Sequence, residues 1–118
     1  MKTAQQLYAE ARERVAEVTA RETLDRVARG EPIVLIDIRE QNEWNLGHAE
    51  GAKYIGRGVL EREIEAQVPR DAQVVLYCAN GNRSLLASMT LADMGYTNVA
   101  SMAGGFRDWV AQGGAVED

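Results

Sequence analysis

Apolar residues at positions 7, 11, 15 and 18 (Leu7, Ala11, Val15, Val18) recur at helical spacing and predict a helix over 3–17. Thr19-Ala20-Arg21-Glu22 then matches a capping box. A second helix is therefore expected from Thr19 to about Gly30, with Leu24 and Val27 on its apolar side. Ile33-Val34-Leu35-Ile36 has no polar alternation, the pattern of a strand buried on both faces, and Val74-Val75-Leu76-Tyr77 repeats it. Between these runs the pattern predicts a short helix over Glu40–Leu46 and a short strand over Ala52–Ile55. A helix over Val59–Val68 follows, closed by Pro69. Leu85, Leu86, Met89, Leu91 and Ala92 give a helix ending at Gly95. Asn98–Met102 reads as a strand and Phe106–Ala111 as a last helix before a polar tail, residues 114–118.

Strands alternating with helices indicate the α/β class, with a mainly parallel sheet covered on both faces. Ligands of such sheets bind beyond the carboxyl ends of the strands, where both Asp37 and Cys78 fall. The 118 residues suit one core, with residues 1–18 as an N-terminal helical extension. There is no internal repeat or linker-like stretch.

Composition narrows the function. The net charge of −5 argues against nucleic acid or an anionic membrane as a partner. No apolar run approaches a membrane span, and Met1–Gln6 lacks a secretory apolar stretch. A single cysteine permits no internal disulfide, and these features together lead to the expectation of a cytoplasmic protein. His48 and Cys78 are the only histidine and thiol, so no zinc-type ligand set is expected. No Gly-rich phosphate fingerprint or Cys-x-x-Cys pair points to a cofactor.

The chemistry concentrates at Cys78. It follows a buried strand, is trailed by Ala79-Asn80-Gly81-Asn82, and precedes the helix opened by Arg83-Ser84. A thiol at a helix N-terminus, in a loop whose N–H groups can turn inward, is favoured as the nucleophilic thiolate. Gly81 allows the loop to curl because glycine accepts positive φ. Arg83 is the only basic residue between Arg70 and Arg107. It is expected either to touch a bound anion or to bind a carboxylate such as Asp37. Asp37 and Arg39 are expected to brace the loop, His48 to hold a structural hydrogen bond, and Gly104-Gly105 and Trp109 to serve turn and core. Arg57 reads as a solvated surface arginine.

Three ordered motifs carry a family resemblance: Asp37-Ile38-Arg39 with Glu43-Trp44, Gly47-His48 and Gly51-Ala52; the loop Cys78–Ser84; and Gly104-Gly105-Phe106 with Trp109. Across residues 19–113 the chain resembles the rhodanese (sulfurtransferase) family. That resemblance implies an open, mostly parallel sheet of about five strands flanked by helices on both faces. It also implies that Cys78 takes a sulfane sulfur from a donor such as thiosulfate, as a persulfide. The backbone of Ala79, Asn80, Gly81, Asn82, Arg83 and Ser84 would cradle the anion. The partners implied are a small anionic donor and an external acceptor, either cyanide, a thiol or a sulfur-carrier protein, for a monomer or homodimer without cofactor. Family members often carry another basic residue in this loop, where this chain has Ala79, Asn80 and Asn82. Two other readings compete: a binding module with little turnover, and a cysteine phosphatase or arsenate reductase. The second is disfavoured because those phosphatases use Cys-x5-Arg, and here the spacing is Cys78-x4-Arg83.

Overall fold

Thr19 does what its capping box predicts. Its hydroxyl accepts from Glu22 N, the Glu22 carboxylate accepts from Thr19 N, and the helix behind it runs Ala20–Ala28. The computed structural model describes residues 1–118 and contains six α-helices and seven strands. The helices are α1 (Ala4–Arg14), α2 (Ala20–Ala28), α3 (Gln41–Asn45), α4 (Leu60–Gln67), α5 (Asn82–Asp93) and α6 (Gly105–Ala111). The strands are β1 (Ala16–Val18), β2 (Ile33–Asp37), β3 (His48–Ala49), β4 (Lys53–Tyr54), β5 (Gln73–Tyr77), β6 (Val99–Met102) and β7 (Val116–Glu117). A single 3-10 turn, Arg57–Val59, leads into α4.

Five strands form one parallel sheet in the order β1-β6-β5-β2-β4. The unbroken apolar runs of β2 and β5 occupy its centre, as parallel strands buried on both faces require. Alternate side chains feed two cores. Ile36, Val74 and Leu76 pack with Leu60, Ile64, Ala87 and Leu91 on the α4–α5 face. Leu35, Val75 and Tyr77 pack with Ala20, Met102 and Trp109 on the α2–α6 face. The expected α/β architecture with helices on both faces is the one observed. No helix is long and apolar enough to cross a membrane.

Two segments differ from the sequence pattern. The helix expected over 3–17 stops at Arg14, and Val15 is already extended at φ −125°, ψ 153°. Residues 16–18 become β1, parallel to β6, with Ala103 N donating to Val18 O at 2.8 Å. An open sheet edge and the extended N-cap needed at Thr19 override the helical spacing of two β-branched valines. What remains of the helix lies against α5, with Leu7, Leu86 and Met89 lining the groove between them.

The polar tail is also structured. Val116–Glu117 pairs antiparallel with His48–Ala49. Ala115 O accepts from both Glu50 N and the Trp109 indole, each at 2.9 Å. A two-residue ladder with no apolar pattern exists only because the fold brings its halves together.

Candidate active site

Cys78 is the first residue beyond β5 and is fully buried. Its Sγ accepts from Gly81 N at 3.2 Å and lies 3.6 Å from Ser84 Oγ, with Asn80 Oδ1 at 4.0 Å. Gly81, at φ 95°, is the N-cap of α5. A Cβ there would sit 3.0 Å from Gly104 N and 3.1 Å from Met102 O, so both conformation and space demand glycine. Asn80 steadies the turn by accepting from Asn82 N at 3.1 Å. Of the expected cradle Ala79, Asn80, Gly81, Asn82, Arg83 and Ser84, the groups at the sulfur are Gly81 N, Ser84 Oγ and Asn80 Oδ1, beside the positive end of the α5 dipole, while Asn82 N is held by Asn80.

The loop is clamped from outside by α6. Cys78 O accepts from Phe106 N at 2.8 Å, and Ala79 O accepts from Arg107 N at 3.2 Å. This seam requires Gly105, where a Cβ would lie 2.4 Å from Cys78 O and 2.7 Å from Ala79 C. In the sequence Gly104-Gly105 reads as turn and core, with no sign of its contact with the cysteine loop beyond a glycine pair opening a helix directly after a buried strand.

Asp37 and Arg39 lie at the carboxyl end of β2, beside β5. The Arg39 guanidinium grips the Asp37 carboxylate at 2.8–3.1 Å and donates to Gly47 O at 2.7 Å. The same guanidinium stands 4.2 Å from the Phe106 ring centroid. Burial opposes its charge, but the hydrogen bonds and charge of Asp37 outweigh this and raise the Arg39 pKa. Tyr77 donates to Asp37 Oδ2 at 2.6 Å and accepts from Ala49 N at 3.0 Å. Burial first, then its bond to Asp37, push the Tyr77 phenol well above its ordinary range, so it stays a donor. Asp37 and Tyr77 are register partners on adjacent strands, a pairing invisible until strand order is known.

Arg83 reaches neither Asp37 nor the loop interior. It lies 3.5 Å from Glu43 Oε1 and 4.0 Å from Glu40 Oε1, on α3 and its N-cap. Arg57 is engaged with Glu61 and Thr90, away from the cysteine loop along α5. His48 stacks on Trp44 with centroids 3.4 Å apart, and its Nδ1 is 3.2 Å from Trp44 O.

The model of the rhodanese-like domain matches residues 19–112. The chain belongs to the rhodanese-like family. This rhodanese-like domain is 33% identical over 96 residues to a probable adenylyltransferase/sulfurtransferase, MoeZ of Mycobacterium tuberculosis. That match covers 80% of this chain and 24% of the longer relative. It is 35% identical over 78 residues to the thiosulfate sulfurtransferase GlpE of Ectopseudomonas mendocina, covering 66% of this chain and 71% of that one. A solved structure from Rhodopseudomonas palustris, of a protein of unknown function described as a possible tyrosine phosphatase, superposes with TM-score 0.90 at 32% identity. It covers 99% of this chain and 96% of that one.

Proposed function

We propose that this rhodanese-like domain is a sulfurtransferase whose Cys78 carries the sulfur. The observation behind this reading is the pair of donor groups beside Sγ, Gly81 N at 3.2 Å and the Ser84 hydroxyl at 3.6 Å. Donors aimed at a sulfur stabilise an anion there, first the thiolate and then the outer sulfur of a persulfide.

With thiosulfate as donor, the Cys78 thiolate attacks the sulfane sulfur. An Sγ–S bond forms, the S–S bond of thiosulfate breaks, and sulfite leaves with the electron pair. A nucleophile such as cyanide then attacks the outer sulfur, leaving as thiocyanate and returning the thiolate. No oxidant or reductant enters either step. Because the chain has one cysteine, the acceptor must come from outside: a thiol or a sulfur-carrier protein in a cytoplasmic setting.

The loop fits this role better than phosphoryl transfer. A phosphate cradle needs its arginine turned inward for bidentate contact. Here Arg83 faces Glu43 and Glu40. The same pairing leaves the cradle poor in positive charge, which favours donors that ask less of it than the thiosulfate dianion.

Intact mass after incubation with thiosulfate, and again after cyanide, tests the reading. The expected result is gain of one sulfur, its loss as thiocyanate forms, and neither event in a folded Cys78→Ser variant. Failure to load from both thiosulfate and a small-molecule persulfide would reject sulfur transfer in favour of a binding module. Release of phosphate from an aryl phosphate would favour the phosphatase reading.

A further inference from the structure

Behind the reacting thiol stands a hydroxyl that the steps above leave unused. Ser101 lies on β6, next to β5, the strand that leads into Cys78, and is fully buried. Its Oγ is 2.7 Å from Ser84 Oγ. Ser84 Oγ is in turn 3.2 Å from Gly81 O and 3.6 Å from Cys78 Sγ.

A serine hydroxyl has one proton to give and two lone pairs to receive, and a buried proton needs an acceptor. The acceptor within reach of Ser101 is Ser84 Oγ. With the bond in the opposite direction, the Ser101 proton would be buried without a partner. Ser101 therefore donates, Ser84 accepts, and the Ser84 proton is left to serve Gly81 O or Sγ. A sulfur anion is a stronger acceptor than a neutral carbonyl. When Cys78 ionises, the Ser84 hydroxyl turns from Gly81 O toward sulfur, joining the Gly81 N–H already aimed there.

We propose that Ser101 is a positioning residue for Cys78, aiming and polarising the Ser84 hydroxyl so that its proton meets the sulfur anion. The proposal rests on the proposed function only in taking Cys78 as the reacting sulfur. The close partners of Sγ are Gly81 N, Ser84 Oγ and Asn80 Oδ1, none of them charged, so the hydroxyl chain is a main local source of anion stabilisation. Bonds in such chains strengthen one another.

The test is a pH titration of thiolate ultraviolet absorbance, with the Cys78→Ser spectrum subtracted to remove tyrosine. Ser101→Ala is expected to move the thiolate rise to higher pH by about 0.1–0.6 unit, the 10–30% strengthening of a hydrogen bond to an anion. Ser101→Thr, which keeps the hydroxyl, is expected to titrate like the wild type. In a Ser84→Ala background, Ser101→Ala is expected to have no effect, because its only route to sulfur has gone. A wild-type titration for Ser101→Ala overturns the proposal, as does a shift that persists undiminished without Ser84. Should Ser101→Ala fail to fold, Ser101→Thr against Ser101→Val makes the same comparison at matched shape. No sulfur donor enters this titration. An unchanged titration beside normal sulfur loading removes the relay alone, and absent loading beside the expected shifts removes only the sulfurtransferase reading.

Discussion

Tyr77 separates what a side chain contributes by packing from what it contributes by its proton. Its ring fills the α2–α6 core, while its phenol joins Asp37 to the backbone of Ala49. The folded pKa is raised above the unfolded value, so the stability it confers is complete below the unfolded value and is lost as pH rises past it. Above about pH 10 stability should fall with a slope of up to about 1.4 kcal/mol per pH unit from this one group. Tyr77→Phe should lose about 1–3 kcal/mol at neutral pH, from an unpaired Ala49 N–H and a weakened Asp37, and flatten that alkaline slope. Urea unfolding across pH measures both. At the cradle, Asn82→Lys adds a cation that the α3 carboxylates do not already hold. It should raise thiosulfate kcat/KM about three- to tenfold, equivalent to about 0.7–1.4 kcal/mol of transition-state stabilisation. Unchanged thiosulfate kinetics would show that charge does not limit this donor.

Among the elements, the seam between α6 and the cysteine loop joins fold to site. Gly105→Ala must move either α6 or the carbonyls of Cys78 and Ala79, and it forces a side chain into φ 58°. A loss of about 1–3 kcal/mol is expected from backbone strain alone, with sulfur loading reduced more than stability accounts for. Loading rate by intact mass, set against thermal unfolding, checks this. Elements that declare themselves locally were legible in the sequence: Thr19–Glu22 caps its helix, Ile33–Ile36 is too apolar for any position but a sheet centre, and Gly81 marks a turn. Elements made by neighbours were not. Val15 and Val18 fit a helical stripe equally well, and only the free edge of β6 turns Ala16–Val18 into a strand. The β3–β7 ladder and the Ser84–Ser101 pair likewise depend on segments far apart in the chain. The motif residues around Cys78 were readable because they are contiguous, and the Arg83–Glu43 pair was not because it spans two crossovers.

Across the whole molecule, the buried pair Asp37–Arg39 connects the sheet centre, the β3 turn and α6. Arg39 holds Asp37 and Gly47 O while its guanidinium lies under the Phe106 ring, and Phe106 N holds Cys78 O. A buried ion pair adds little net stability over an apolar replacement, but loss of one partner strands the other charge. Arg39→Met should therefore cost about 3–5 kcal/mol, and Asp37→Asn in the same chain should restore part of it by removing the stranded carboxylate. The asparagine oxygen can still accept from the residue 39 amide, with its NH2 turned toward the Tyr77 oxygen, so the double variant keeps a hydrogen bond on each side and is expected to fold. Sulfur loading should behave differently. Both variants lack the guanidinium that seats Phe106, so both should load Cys78 more slowly than wild type even where stability has recovered. Full recovery of loading in the double variant would mean that Arg39 serves the fold alone. A persistent deficit would mean that the ion pair positions the cysteine loop through α6.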